Sequence, residues 1–248
     1  MPDTPVHVHT NRQTRSLSLS TTLIQSCMRL DAPDDLVLDY TRAMMGALLI
    51  APAPRSVLMI GLGGGSMLKY LHRHVPAADL TTVEINPAVI DLRETFCIPP
   101  DDARHRIVCA DGAAFLRTPP ARYDLILVDG FDGQGVPEAL CSRGFYQSVR
   151  RALSPEGLMV ANVQAETAQA RLIRQRIHKA FDGQIISVES DEGGNDIVTA
   201  ASDRTVLDAA LADFPGRWAA LAPVHQATLG AASSRIERAL MRRGGPAG

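Results

Sequence analysis

The chain has 248 residues, of which 46% are hydrophobic and 21% are charged, and its formal net charge is -2. A chain of this length and composition can bury one substantial core. The near-neutral charge gives no general attraction to polyanions, and no segment reaches the roughly 20 apolar residues that a membrane span needs. We therefore expect a globular protein with neither nucleic-acid nor membrane partners.

Cysteine and histidine spacing bears on compartment and metal binding. The four cysteines are scattered, without the close pairs of a zinc site or redox dithiol: Cys27, Cys97, Cys109 and Cys141. We interpret them as reduced thiols of a cytoplasmic protein. His72 and His74 lie two residues apart on a predicted helix and so point to different faces. We predict that the protein has no metal site.

The N-terminal part divides into three predicted segments. Residues 1–15 are polar and contain two prolines, which predicts a loose tail. Residues 16–30 alternate leucine with small polar side chains, as one or two short strands do. From residue 33 apolar residues recur at helical spacing, with Asp31 as the predicted cap, until the sequence Ala-Pro-Ala-Pro at 51–54. We place a boundary here, between a short N-terminal part (1–50) and a main domain (51–248).

Beyond residue 54, apolar runs alternate with helical segments, as in a parallel sheet with crossover helices. The predicted strands are 56–60, 80–84, 106–109, 123–129, 158–163, 184–189 and 196–200, and the predicted helices are 66–74, 87–96, 113–116, 142–153 and 166–181. The last two strands form a hairpin, and helices broken at Pro215 and Pro223 follow. This order predicts an α/β, Rossmann-like fold of the AdoMet-methyltransferase type. Its seven-stranded, mostly parallel sheet has an antiparallel final strand, and a short N-terminal β element precedes it.

A glycine cluster, Gly61-Leu62-Gly63-Gly64-Gly65, joins the first strand of this sheet to a helix. Glycines permit positive φ and close approach of a ligand, and free N–H groups at the helix start face that ligand. The same turn also serves ordinary strand-to-helix geometry. Taken alone, it leaves both interpretations open.

Acidic side chains follow the next strands. Glu84 lies about twenty residues after the glycines, where a carboxylate can accept hydrogen bonds from both ribose hydroxyls, or can serve as a helix cap or solvated acid. Asp111, before Gly112, can accept from the amino group of adenine or cap the next helix. Asp129 ends the fourth strand, and Asp132 follows in a glycine-rich loop that can close over a substrate. Because these strand ends meet at one edge of the sheet, we expect one adenosyl-binding crevice there.

The order of these motifs resembles that of the spermidine synthase, or aminopropyltransferase, family over about residues 23–181. The matching segments are the glycine cluster, Val83-Glu84-Ile85-Asn86-Pro87, Asp111-Gly112 and the stretches 129–137, 144–146 and 162–166. Members of that family transfer a propylamine group from decarboxylated AdoMet to a polyamine nitrogen and release methylthioadenosine. The resemblance implies this activity, this co-substrate and a small-molecule amine acceptor.

The resemblance also implies roles for individual residues. Donor binding would fall to Gly61, Gly63 and Gly65 at the thioether, Glu84 at the ribose, and Asp111 with Gly112 at the adenine. Asp129 would be the base that orients the amine, and Asp132 would lie on the gating loop. Gln25 and Tyr40 match residues that border the amine site, and Gln164 and Glu166 match a further acidic corner.

Proton transfer explains why such a site needs carboxylates. A primary amine with a lysine-like pKa of about 10.4 is protonated at neutral pH and must lose a proton before it attacks. A carboxylate accepts that proton more readily when burial raises its pKa. We assign this role to Asp129, because a residue that ends a strand is held more rigidly than one in a loop.

Several positions depart from the family pattern. Gly64 stands where the family has an aspartate that holds the donor's ammonium group, Thr41 and Arg42 replace a histidine or glutamine and a glutamate, and Gly133 replaces a proline. Arg42 would suit a carboxylate, as in AdoMet itself, or is an exposed helix arginine. The N-terminal region is short for the family's oligomerising module, so the family's standard tetramer is not assumed, and a homodimer is the candidate assembly.

These departures keep three alternatives open. One is an AdoMet-dependent methyltransferase, or another transferase of the AdoMet tail, with a changed acceptor. Another is a non-catalytic protein that binds an adenosyl ligand or a polyamine. A nicotinamide-dependent dehydrogenase fits the glycines and Glu84 but gives no role to Asp111, Asp129 or Asp132.

Overall fold

The N-terminal part of the chain forms a small antiparallel sheet. The computed structural model describes residues 4–19, 24–132, 135–165, 167–191 and 193–243. Strands β1 (His7–Thr10), β2 (Thr14–Ser18) and β3 (Ser26–Arg29) pair in the order β1-β2-β3. The prediction of one or two strands within residues 16–30 is confirmed: β3 lies inside that range, and β2 begins two residues before it.

The prediction of a loose tail was wrong for residues 7–15. The side-chain oxygen of Asn11 accepts hydrogen bonds from the N–H groups of Gln13 and Thr14, both at 2.8 Å. These bonds form a tight turn that returns the chain onto itself, so that His7 and His9 lie in β1.

The first helix begins later than predicted. Helices α1 (Asp39–Met45) and α2 (Ala47–Ile50) follow turns, and Leu38 occupies the N-cap position of α1. The carboxylate of Asp31 accepts hydrogen bonds from Arg29 at 3.0 and 2.7 Å. Because Arg29 already holds this carboxylate locally, the prediction that Asp31 caps a helix was wrong.

The main sheet has seven strands in the order β6-β5-β4-β7-β8-β10-β9. They are β4 (Ser56–Ile60), β5 (Asp79–Glu84), β6 (His105–Cys109), β7 (Tyr123–Val128), β8 (Leu153–Gln164), β9 (Ile185–Glu189) and β10 (Asn195–Ala201). The five neighbouring strands β6, β5, β4, β7 and β8 run parallel, and β10 is antiparallel to both its neighbours. The predicted Rossmann-like α/β fold is confirmed, with all seven strands at the predicted positions to within a few residues.

Helices connect these strands. They are α3 (Ser66–His74), α4 (Pro87–Ile90), α5 (Gly112–Phe115), α6 (Glu138–Cys141), α7 (Arg143–Ala152), α8 (Ala168–Ala180), α9 (Arg204–Ala212), α10 (Phe214–Ala220) and α11 (Pro223–Arg243). The helix predicted over 87–96 ends at Ile90 and continues as turns. Pro215 lies in the first turn of α10 and Pro223 begins α11, since proline is tolerated where the N–H would be unpaired anyway. None of the described helices is both long and apolar enough to cross a bilayer.

The core lies on both faces of the main sheet. Leu58 and Ile60 of β4 pack in one buried cluster, and Val57 and Met59 pack in the other. Alternate residues of one strand point to opposite faces, so a strand that is buried on both sides is continuously apolar. This packing fixes the strand ends, where the polar residues of the predicted site follow.

Candidate active site

A cavity of about 360 Å³ lies at the carboxyl edge of the parallel strands. Its described lining includes eight of the predicted site residues: Gln25, Gly61, Gly63, Glu84, Asp111, Gly112, Asp129 and Asp132. Leu17 and Leu19 of the N-terminal part cover it with apolar side chains. Glu84, Asp111 and Asp129 therefore face one common hollow, as the predicted adenosyl site requires.

The glycine turn brings backbone close to backbone. Gly61 has a φ of +96°, and a Cβ atom there would clash with the carbonyl oxygen of Asp129. Gly63 has a φ of +53° and lines the cavity. Gly65, with a φ of +68°, is the N-cap of α3 and packs against Ile98 rather than lining the cavity. Gly65 therefore shapes the turn, and Gly61 and Gly63 form the wall.

Glu84 is buried, and backbone groups hold both of its carboxylate oxygens. Oε2 accepts a hydrogen bond from the N–H of Leu62 at 2.9 Å, and Oε1 accepts one from the N–H of Asn86 at 2.8 Å. A carboxylate has about four acceptor positions. Two remain for a ligand in the cavity, and the orientation of the group is fixed in advance.

Asp111 caps helix α5, which was one of the two roles predicted for it. Its Oδ1 accepts a hydrogen bond from the N–H of Ala114 at 2.7 Å, which caps α5. Asp111 is also among the residues that line the cavity, and its other carboxylate oxygen is left for a ligand. At Gly112, a Cβ atom would come within 2.5 Å of Ile60, which explains why the chain has glycine there.

Asp129 and Tyr40 meet at the edge of this cavity. The Tyr40 hydroxyl lies 3.3 Å from Oδ2 of Asp129 and 3.0 Å from the carbonyl oxygen of Gln25, so its one proton can go to either. Burial raises the pKa of Asp129 to about 6, although the bonds from Asn162 and Tyr40 favour the charged form. Burial and the nearby Asp129 raise the pKa of Tyr40, which stays protonated. Asp129 can thus take a proton near neutral pH.

Asn162 is a site residue for which the sequence analysis predicted no role. Its side-chain N–H donates to Oδ1 of Asp129 at 2.9 Å, and its oxygen accepts from Asn195 at 2.8 Å. Asn162 is 6% exposed and lies in β8 among apolar residues. A polar residue inside a buried strand, near the carboxyl edge of the sheet, is the signal that could have identified it.

The loop after β7 closes on itself. The N–H of Asp132 donates to the carbonyl oxygen of Gly135 at 2.8 Å, and Asp132 is one of the residues that line the cavity. The side-chain oxygen of Gln164 lies near Gly135, and Gln164 is not among the described lining residues. Glu166 lies outside the described residues. The acidic corner predicted from Gln164 and Glu166 therefore stays a prediction.

The structure shows the surroundings of two residues that depart from the family pattern. A Cβ atom at Gly64 would come within 2.7 Å of the Ser26 hydroxyl and 2.8 Å of the Phe96 ring, so an aspartate there would require these side chains to move. Arg42 donates to the carbonyl oxygens of Leu36 and Val37 at 2.8 and 2.6 Å. Because these bonds hold Arg42 against the preceding turn, the suggestion that it faces the donor tail was wrong. Within the described ranges, no three histidine, cysteine or acidic side chains gather as metal ligands.

Sequence comparisons agree with this geometry. The model of the spermine/spermidine synthase domain matches residues 38–188. A polyamine aminopropyltransferase of Chromobacterium violaceum is 40% identical over 201 residues, which are 81% of this chain and 76% of that protein. One of Neisseria meningitidis serogroup A is 38% identical over 188 residues, or 75% and 72% of the two chains.

Solved structures match the fold. A probable spermidine synthase from Corynebacterium glutamicum superposes with a TM-score of 0.70 at 21% identity, over 84% of this chain and 82% of that one. Human methyltransferase-like protein 13 in complex with SAH superposes with a TM-score of 0.61 at 20% identity, over 85% and 94%. With the sequence matches, the conclusion is that this chain belongs to the spermine/spermidine synthase family, which is a family of transferases.

Proposed function

We propose that the protein is a polyamine aminopropyltransferase, which transfers a propylamine group from decarboxylated AdoMet to an amine and releases methylthioadenosine. The observation that carries this proposal is the position of Asp129, a carboxylate with a pKa near 6, in a cavity that also contains Glu84 and Asp111. An adenosyl ligand needs acceptors for its ribose and adenine. A transferred group needs a base beside the acceptor nitrogen.

Donor binding rests on Glu84 and Asp111. Backbone N–H groups fix the carboxylate of Glu84, and its remaining acceptor positions suit two ribose hydroxyls. Asp111 uses one oxygen to cap α5 and presents the other to the adenine. Gly61 and Gly63 let the thioether side of the donor approach the backbone.

The chemical step is a displacement at carbon. The unprotonated amine nitrogen forms a bond to the donor carbon next to sulfur, the carbon–sulfur bond breaks, and its electron pair neutralises the sulfonium. The proton released by the amine goes to Asp129. Raising the pKa of Asp129 from 3.8 to about 6 reduces the cost of that proton transfer by on the order of 3 kcal/mol.

The acceptor, the assembly and the compartment are further proposals. Asp129 and Asp132 attract a di- or polyamine by charge, and Tyr40 and Gln25 border its reacting nitrogen. We also propose a homodimer, since β1 is exposed at all four residues and leaves an edge of the small sheet without a described partner strand. The four cysteines are free, which fits the cytoplasm.

A product assay tests this function. The protein is incubated with decarboxylated AdoMet and each of a series of di- and triamines, and methylthioadenosine is measured by mass spectrometry. We expect the product with at least one amine. Donor binding without product from any amine would overturn the proposal and favour a non-catalytic adenosyl-binding protein.

A second candidate is a transferase that uses AdoMet itself. The absence of an acid at Gly64 favours it, because the cationic tail of decarboxylated AdoMet needs an acidic partner more than the zwitterionic tail of AdoMet does, and the nearby hydroxyls of Ser26 and Ser66 carry no charge. Calorimetry with both donors separates the two candidates. Clear preference for the carboxylated donor would replace the first candidate with this one.

A further inference from the structure

A line of polar groups reaches Asp129 at the carboxylate oxygen that Tyr40 does not contact. Asn195 donates through its side-chain N–H to Oδ1 of Asn162 at 2.8 Å, and Asn162 donates to Oδ1 of Asp129 at 2.9 Å. On the other side, the Tyr40 hydroxyl lies 3.3 Å from Oδ2. The two oxygens of Asp129 thus have different partners.

The sheet register brings the two asparagines together. In the antiparallel pair of β8 and β10, Asn195 lies opposite Gln164 and Asn162 lies opposite Ile197. Asn162 and Asn195 are therefore diagonal neighbours on one face of the sheet, within reach of each other's side chains. The hydrogen bond between them follows from the backbone pairing and does not depend on a loop.

The chemistry of the groups fixes the direction of every bond. An ionised carboxylate only accepts hydrogen bonds, so Asn162 must turn its NH₂ group toward Asp129. Its oxygen then faces Asn195, which must present its own NH₂ group. Asn162 could turn over only if the amide of Asn195 turned with it or lost its bond, and either change would set the oxygen of Asn162 against the carboxylate of Asp129.

We propose that Asn195 and Asn162 are positioning residues that keep Oδ1 of Asp129 an acceptor and so assign Oδ2 as the atom that takes the proton of the attacking amine. This assignment rests on the proposed function. A proton on Oδ1 would face the N–H of Asn162, whereas Oδ2 faces a hydroxyl that already has a shorter bond to the carbonyl oxygen of Gln25. When Oδ2 gains the proton, Tyr40 keeps that bond to Gln25 and no buried donor is left unpaired.

The asparagines are uncharged, so their effect on Asp129 comes through the direction of their hydrogen bonds. Among the described residues, the titratable groups that share the surroundings of Asp129 are Tyr40 on α1 and the cavity-lining acids Glu84, Asp111, Asp132 and Glu138. Replacement of Asn195 leaves all of these titratable side chains in place. A response of Asp129 to substitution at Asn195 must therefore pass through Asn162 or through any charge that is introduced.

The decisive variant is Asn195→Asp. An aspartate at this position can only accept, so Asn162 must turn its NH₂ group toward it and place its own oxygen against Oδ1 of Asp129. We expect the pKa of Asp129 to rise by about one unit or more, and by less in Asn195→Ala. The pKa is measured on the full chain by carboxyl carbon NMR, with Asp129→Asn identifying the signal. In the active enzyme, the acidic limb of the pH profile of kcat/KM should move by the same amount.

Two controls separate bond direction from added charge. Asn11→Asp adds a charge in the β1–β2 turn and keeps a side-chain oxygen that accepts the hydrogen bond from Gln13. It should leave the pKa of Asp129 unchanged. In an Asn162→Leu background, Asn195→Asp should shift the pKa of Asp129 by less than half as much as it does in the otherwise wild-type protein. An equal shift in that background, or no shift in Asn195→Asp with the fold intact, would overturn the proposal. Absence of turnover in the wild-type protein would count against the proposed function instead, because the NMR titration needs no turnover.

Discussion

The guanidinium of Arg235 binds both carboxylate oxygens of Asp39, at 2.9 and 3.0 Å, and Asp39 directly precedes Tyr40. Arg235 lies on α11, beyond the segment that matches the family model. Asp39 is 2% exposed and also accepts from the backbone N–H of Asp191 at 2.6 Å. The C-terminal helix therefore holds the start of α1, the helix that presents Tyr40 to Asp129.

Replacement of Arg235 by methionine should be strongly destabilising. It leaves the buried carboxylate of Asp39 without its main partner, and breaking a buried pair in this way costs roughly 3–5 kcal/mol. The free energy of unfolding from urea titrations measures the loss. The double variant Asp39→Asn with Arg235→Met should recover part of it, since no buried charge remains. Equal stability of Arg235→Met and the wild-type protein would show that the pair is unimportant.

Asp129 should decrease stability at neutral pH. Burial raises its pKa in the folded state to about 6, from the ordinary 3.8, so folding favours the protonated form. The contribution of protonated Asp129 to the free energy of unfolding is fully present below pH 4, and it is lost as the pH rises through 6. Asp129→Asn lacks this titration, and its stability relative to wild type should improve by on the order of 3 kcal/mol between pH 4 and pH 7.5. Unfolding at both pH values checks this, and a pH-independent difference would argue against the raised pKa.

Gly61→Ala should disrupt the wall of the cavity. Its φ of +96° strains any side chain, and the added Cβ meets the carbonyl oxygen of Asp129. We expect a loss of about 2 kcal/mol or more in the free energy of unfolding, together with weaker donor binding. Gly144→Ala is the matched control. Gly144 lies in α7, and a Cβ atom there would contact only the Ser142 hydroxyl, at 4.0 Å. A similar stability of the two variants would contradict this account of the turn.

Glu84→Gln should weaken binding of the adenosyl group. Glutamine has one oxygen, so either Leu62 or Asn86 loses the acceptor for its N–H, and a ribose hydroxyl loses a charged partner. We expect methylthioadenosine to bind at least about tenfold more weakly in calorimetry, a loss of about 1.4 kcal/mol. Glu156→Gln, an exposed residue of β8 at the other end of the sheet, serves as the control. Unchanged affinity in Glu84→Gln would remove Glu84 from the donor site.

Much of the main sheet was predictable because its central strands are short apolar runs with a clear end: β4 is followed by Gly61, β5 ends at Glu84, and β7 is followed by Asp129. The sequence His-Val-His-Thr of β1 has no apolar periodicity, and all four of its residues are exposed. Its strand conformation comes from the turn at Asn11 and from pairing with β2, which a hydrophobic pattern does not reveal.

The site was predictable at the strand ends and less so elsewhere. Glu84, Asp111 and Asp129 follow apolar strands, and the fold brings such ends together at one edge. The position of Arg42 depends on local bonds to the preceding turn, and the role of Asn162 depends on contacts with Asp129 and Asn195, which are distant in the sequence. Their roles follow from which hydrogen-bond partners are near in space, and spacing along the sequence does not determine that.

The kinetics and donor affinity of Asp129→Asn test the central claim most directly. An asparagine keeps the shape of the side chain and cannot take the proton of the amine. We predict that kcat falls by about 10² to 10⁴, while methylthioadenosine binds within about threefold of its wild-type affinity, a change below 1 kcal/mol. A variant that turns over at the wild-type rate would contradict the assignment of Asp129 as the base.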